Sequence, residues 1–248
     1  MPGTRPLTHP DPARPGVGAP FFSFWDVGTP ERQRAAVAAI EAVWTGRPWP
    51  LPGLLSYSVY AGTDGRTLLH YSQWADERAY EDFVRDRRAH RNDEIDRAVP
   101  GIERLDLVRT RYYRGFGTAG DADGSGHGHG ERPEPGCVVI VDVTFDGPDE
   151  ARQRAWVDAV GEALATDPAP PAGGISGHFH LSTDGTRVVN YAEWVSERAH
   201  LDALAAAGEG VGSPTPQWHR VRNFPGLVRS DVRRYRLAFT AERPAGRE

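Results

Sequence analysis

Two stretches of this 248-residue chain carry the residue types of acid–base and oxyanion chemistry at nearly the same spacing. The first, TDGRTLLHYSQWADERAY (63–80), holds His70, Trp74 and Tyr80. The second, TDGTRVVNYAEWVSERAH (183–200), holds Asn190, Trp194 and His200. An amide or an imidazole inside an apolar strand can exchange hydrogen bonds with a substrate oxygen, and an imidazole can also move a proton near neutral pH. A Trp four residues on offers a flat apolar wall. Each residue also has a purely structural reading. The two tryptophans sit at strand-to-helix junctions and could plug a core. Asn190 and His70, if buried, could simply be satisfied by neighbours.

A third group is GHFHL, which sets His178 and His180 two apart on a strand and so on one face. With a third ligand such a pair could hold a metal; alone it lines a pocket or packs. No HExxH and no paired carboxylates accompany it, so no metal is expected. Whether the pair shares the face of Asn190 depends on the turn length, and the sequence leaves that open.

The elements that must position these residues come in two copies. At an offset of 120 the windows share Thr63/Thr183, Asp64/Asp184, Gly65/Gly185, Tyr71/Tyr191, Trp74/Trp194, Glu77/Glu197, Arg78/Arg198 and Ala79/Ala199. PGIERLDLVRTRYYRGF (100–116) is echoed by PGLVRSDVRRYRLAF (225–239), an offset of 125 that implies a small insertion near 208–217. Each copy reads strand, helix, strand, strand, helix, strand. Thr29 followed by Pro30 starts one helix, Asp76 caps another, and each T-D-G joins a hairpin. The βαββαβ order is the ferredoxin-like split, with helices on one face of the sheet. The expected fold is therefore α+β: two ferredoxin-like units fused in one chain, their sheets packed as an intrachain barrel. The expected boundaries are a leader at 1–19, a first repeat at 20–116, a Gly-rich linker at 117–136 holding His127 and His129, a second repeat at 137–240 and a tail at 241–248.

Composition narrows the function classes. A net charge of −5 argues against nucleic acid as a partner, and no stretch approaches the length of a membrane helix. The N-terminal residues lack the apolar run of a secretory signal. The single cysteine, Cys137, opens the apolar strand CVVIVDV and reads as a buried thiol. One cysteine allows no intrachain disulfide, so a cytoplasmic location is expected.

The segment NYAEWVSERA, with Asn190, Tyr191 and Trp194 in its strand–turn–strand–helix frame, resembles the signature of antibiotic biosynthesis monooxygenases. The resemblance spans roughly 20–116 and 137–240 and implies the dimeric α+β barrel fold. It further implies a small aromatic substrate, a phenol or anthrone of a polyketide pathway, oxidised by O₂ without metal, flavin or haem. Carried over by position, Asn190 and Trp194 match the family pocket, while His200 stands where a Tyr is expected. In the first copy Trp74 and Tyr80 match, while His70 stands at the Asn position. Asn190, Trp194 and His200 are thus the expected catalytic set, and His70, Trp74, Tyr80, His178 and His180 are candidate substrate contacts. The expected partner is the small aromatic substrate, with further pairing of the pseudo-dimers an option.

Three other readings share this sequence. A haem-degrading relative would use a helix histidine, for which His90 and His219 are the candidates. A polyketide cyclase would use the same pocket without oxygen. A ligand-binding barrel would hold a small molecule without turnover. Arginines on the closing strands, Arg109, Arg111, Arg114, Arg229, Arg233, Arg234 and Arg236, could reach a substrate oxyanion, and nothing in the sequence selects among them.

Overall fold

A computed structural model describes residues 8–117, 133–169, 171–207 and 212–244. The histidines of the Gly-rich stretch, His127 and His129, lie outside the described residues, as do the ends of the leader and tail and residues 208–211 of the expected insertion.

The chain divides into two compact units, residues 1–110 with 235–248, and residues 111–234. The first unit begins with β1 (Ala19–Asp26) and α1 (Pro30–Thr45). The side chain of Thr29 accepts from the backbone N–H of Arg32, and Pro30 occupies the first helical turn, where its missing N–H costs nothing. β2 (Leu54–Gly62) and β3 (Thr67–Trp74) form the expected hairpin. Its turn needs a positive φ, which Gly65 supplies at 73°, and Asp64 Oδ1 accepts from the N–H groups of Arg66 and Thr67. α2 (Glu77–Phe83), capped by Asp76, runs through a π-helical turn at Val84–Arg88 into α3 (Ala89–Ala98). β4 (Glu103–Gly117) closes the repeat, and the unit boundary falls within it.

The second unit follows the same plan with β5 (Cys137–Phe145), α4 (Glu150–Ala165), β6 (Gly174–Ser182), β7 (Arg187–Trp194), α5 (Glu197–Ala207), α6 (Pro216–Arg222) and β8 (Leu227–Glu242). Gly185, with φ 77°, makes the second hairpin turn. The described part of the expected insertion, residues 212–217, runs into α6, which is tied down by Asp167: this carboxylate accepts from Ser213 N at 3.0 Å and from Trp218 Nε1 at 2.7 Å.

All resolved ladders are antiparallel: β1 pairs with β3 and β4, β2 with β3 and β8, and β7 with β5 and β6. The hydrogen-bonded order β1-β3-β2-β8-β5-β7-β6-β4 returns to β1, the topology of an eight-stranded antiparallel barrel. The strand ladders of the two units correspond closely. Leu54 faces Trp74 and Gly174 faces Trp194, and each ladder then shifts register at the next pair, Ser56↔Gln73 and Ser176↔Glu193. Each first helix is anchored alike by a buried glutamine. Gln33 Nε2 donates to the carbonyls of Gly62 and Thr67, and Gln153 Nε2 to those of Ser182 and Arg187.

Cys137 is fully buried, as its apolar strand implies, and its thiol donates to the carbonyl of Val138. Among the described residues no helix is long and apolar enough to cross a membrane.

Candidate functional site

β-strand alternation fixes which side chains meet the helices. In β7 these are Val188, Asn190, Ala192 and Trp194; in β6 they include Gly177, paired with Ala192, and Phe179, paired with Asn190. Between these positions and α4, α5 and α6 the second unit holds a cleft of about 840 Å³. That is ample for a ligand of three fused rings. Most of the wall is apolar, with Trp156, Trp194 and Trp218 supplying indoles and Phe116 and Phe179 phenyl rings.

Asn190 is the polar residue set in this wall by the strand itself. Its Oδ1 is buried and has no hydrogen-bond partner. A buried amide oxygen left unsatisfied costs on the order of 1–3 kcal/mol. The space in front of it exists because residue 177 is glycine. A Cβ there would lie 3.2 Å from Asn190 Oδ1 and 3.5 Å from the Phe179 ring.

His200, at the first turns of α5, also lines the cavity, with its ring edge-on to Trp194 at 4.8 Å between centroids. The Nε–H of Arg234 donates to His200 Nδ1 at 2.9 Å. That bond makes Nδ1 the acceptor and leaves the hydrogen on Nε2. Burial, reinforced by the Arg234 charge, lowers the His200 pKa to about 4. At neutral pH His200 is thus a neutral donor, and its basic lone pair is occupied. Of the two roles the sequence allowed it, donor or base, the geometry is that of a donor. The cavity's carboxylates are likewise engaged: Asp158 by Arg114, Glu162 by Arg220 and Glu193 by the Ser176 hydroxyl.

Asn190, Trp194 and His200 therefore converge on one cavity. The other candidates do not join them. His178 and His180 lie on the opposite face of β6, paired with Tyr191 and Val189. There His178 Nε2 meets Ser176 Oγ at 3.1 Å and Glu193 at 3.7 Å, and Tyr112 packs edge-on to His180. The parity the sequence left open is resolved against a shared face with Asn190.

His70, Trp74 and Tyr80 occupy the matching region of the first unit, and it is filled. Tyr57 stacks on Trp44 with centroids 4.0 Å apart, and its hydroxyl lies 2.6 Å from His70 Nδ1. Trp74 packs against Tyr80 and Phe83, and Tyr80 packs edge-on to Phe21. Burial, helped by the charges of Arg104 and Arg88, lowers the His70 pKa to about 3. These residues form core in the first unit rather than a cavity wall.

The two haem-ligand candidates sit elsewhere. His90 is an exposed residue of α3 whose ring meets Arg47 at 3.0 Å, and His219 is exposed on α6; neither lines the cavity. Sequence reasoning did not name Gly177 and did not select Arg234, two residues that shape the site. The signal for Gly177 was present, since the 120-residue offset aligns it with Tyr57. Arg234 was one of seven strand arginines with no local feature to mark it.

No protein-family model matches the chain, and no curated protein matches it. Solved structures do. An anthrone oxidase-like protein superposes with a TM-score of 0.64 at 18% identity, over 91% of this chain and 93% of its own. A monooxygenase candidate from Lactobacillus acidophilus gives 0.54 at 10% identity, over 91% and 96%. A chlorite dismutase from Candidatus Nitrospira defluvii gives 0.50 at 13% identity, over 90% and 91%. At these identities the likeness shows the fold. The chain thus has an α+β fold that these solved structures share.

Proposed function

We propose that this protein is an oxygenase that uses no metal, flavin or haem, and that it converts a polycyclic phenol or anthrone of an antibiotic-type polyketide route to a quinone. The observation that carries this reading is Asn190, an amide in the wall of an indole-lined cavity of about 840 Å³, whose Oδ1 is buried without a partner. The anthrone oxidase-like and monooxygenase-candidate folds, and the NYAEW segment, lend it support.

The flat substrate binds among Trp156, Trp194 and Trp218, with a hydroxyl or carbonyl at Asn190. The substrate's acidic proton passes to water at the cavity mouth, and the oxyanion of the resulting enolate is stabilised by N–H groups of Asn190 and His200. The enolate carbon passes electron density to O₂ and forms a C–O bond, giving a hydroperoxide. Its O–O bond then breaks as the adjacent C–H is lost, leaving a carbonyl and one water. Both oxygen atoms are accounted for, and the substrate supplies all the electrons. Because His200 offers a donor and the cavity carboxylates are engaged, the reading relies on the acidity of the substrate itself.

The test is oxygen uptake by chelator-treated protein given a model anthrone, read with the absorbance of the quinone product. Catalysed uptake that persists in chelator and falls in Asn190→Ala is the expected result. Uptake equal to the enzyme-free blank across a panel of anthrones and phenols would defeat it.

A further inference from the structure

The ladder correspondence between the units places Tyr57 of the first at the position of Gly177 in the second. Tyr57 faces Ser72 two pairs beyond Leu54↔Trp74, and Gly177 faces Ala192 two pairs beyond Gly174↔Trp194, each past the same register shift. His70 likewise stands where Asn190 stands, paired with Val59 and Phe179 respectively. On the helix side, eleven residues after the anchoring glutamine, Trp44 matches Leu164, which lines the open cavity.

We propose that the first unit holds a second aromatic-binding site that the chain plugs with its own Tyr57, so that each chain offers one open site and one latent site for a phenol-headed ring. Three features distinguish the plug from ordinary packing. The Tyr57 phenol is stacked nearly parallel to Trp44, 18° between planes, as a flat ligand would be. Its hydroxyl meets a polar side chain of the helix-facing wall, His70, at 2.6 Å. The other ring nitrogen, His70 Nε2, is buried without a partner, so its desolvation goes uncompensated at the end of the plug. Burial also keeps the proton on the Tyr57 oxygen and off the imidazole, so the phenol O–H donates to Nδ1.

The inference rests on the proposed reading only for the kind of ligand; the plug itself is a matter of geometry. Removing the Tyr57 side chain leaves a hole of the shape of p-cresol, with an acceptor at its end. Cavities made this way admit the missing fragment when the walls hold.

The experiment compares full-length Tyr57→Gly with Tyr57→Phe, which keeps the hole filled. Calorimetric titration with p-cresol is expected to show one more bound equivalent in Tyr57→Gly than in Tyr57→Phe. Toluene, which lacks the hydroxyl, is expected to bind that extra site about tenfold more weakly, the worth of one hydrogen bond. A folded Tyr57→Gly, judged by its near-ultraviolet dichroism, with the same stoichiometry as Tyr57→Phe would overturn the proposal. If Tyr57→Gly folds only with ligand, recovery in p-cresol but not in toluene supports the plug, and recovery in neither overturns it. Wild-type protein and Tyr57→Phe report the open site. Should they bind nothing while Tyr57→Gly binds one, the second-unit reading fails and the plug stands; the opposite pattern fails the plug alone.

Discussion

Arg234 donates its Nε–H to Nδ1 of His200 at 2.9 Å, and this one bond sets the tautomer of the imidazole beside the cavity. Burial lowers the pKa of His200 first, and the Arg234 charge lowers it further, to about 4. Arg234→Leu is therefore expected to raise that pKa while leaving it below the ordinary 6.5, because the desolvation remains. Carbon-detected titration of the His200 ring would measure it. An unchanged or lower value would show that Arg234 does not act on the ring.

Three histidines share the same direction of shift, His70 and His180 to about 3 and His200 to about 4, each chiefly through burial. Their folded pKa values lie below the unfolded 6.5. Between those limits the unfolded chain binds more protons, so stability is complete above about pH 6.5 and is lost as pH falls toward 3. Thermal melts at pH 7.5, 5.5 and 4.5 should show a steady drop. His70→Asn should flatten part of that slope.

Asn190→Ala separates a working amide from a structural one. The wild-type Oδ1 is buried without a partner, so its removal relieves a cost rather than breaking a bond. Folding free energy is expected to change by less than about 0.5 kcal/mol, while kcat falls about a hundredfold through loss of an oxyanion donor. A large loss of stability with kcat unchanged would assign Asn190 to the framework.

Gly177→Ala brings a methyl to 3.2 Å from Asn190 Oδ1 and should push the amide off its position. Substrate affinity or kcat is expected to drop several-fold with the fold intact, as steady-state kinetics and a melting curve would show. Retained wild-type kinetics would mean the amide need not hold that place.

The two tryptophans should part company. Trp74 packs in a filled core against Tyr80 and Phe83, so Trp74→Ala should cost about 3–5 kcal/mol in denaturant unfolding. Trp194 faces the existing cavity, so Trp194→Ala should cost less stability and weaken binding of a flat aromatic ligand instead. Equal stability losses would contradict the difference between the two units.

The sequence by itself determined the elements and their order. Local signals carried that information. Thr29–Pro30 and Asp76 open helices by satisfying end N–H groups, and the T-D-G turns supply a positive φ at Gly65 and Gly185. Alternation along 186–194 also put Asn190 and Trp194 on one side of a strand, because side-chain direction there has a period of two. Which of two similar pockets is open was decided in three dimensions. Tyr57 and Gly177 look like unremarkable strand residues until their ladders align them, and only packing shows that one fills the space the other leaves. The face of His178 and His180 relative to Asn190 depended on the hairpin turn, from which the pairs run in unbroken register from Leu181↔Val188 to Gly177↔Ala192. Arg234 reaches His200 from 34 residues away. Spacing cannot encode such a contact, since it exists only once β8 and α5 of the second unit are brought side by side.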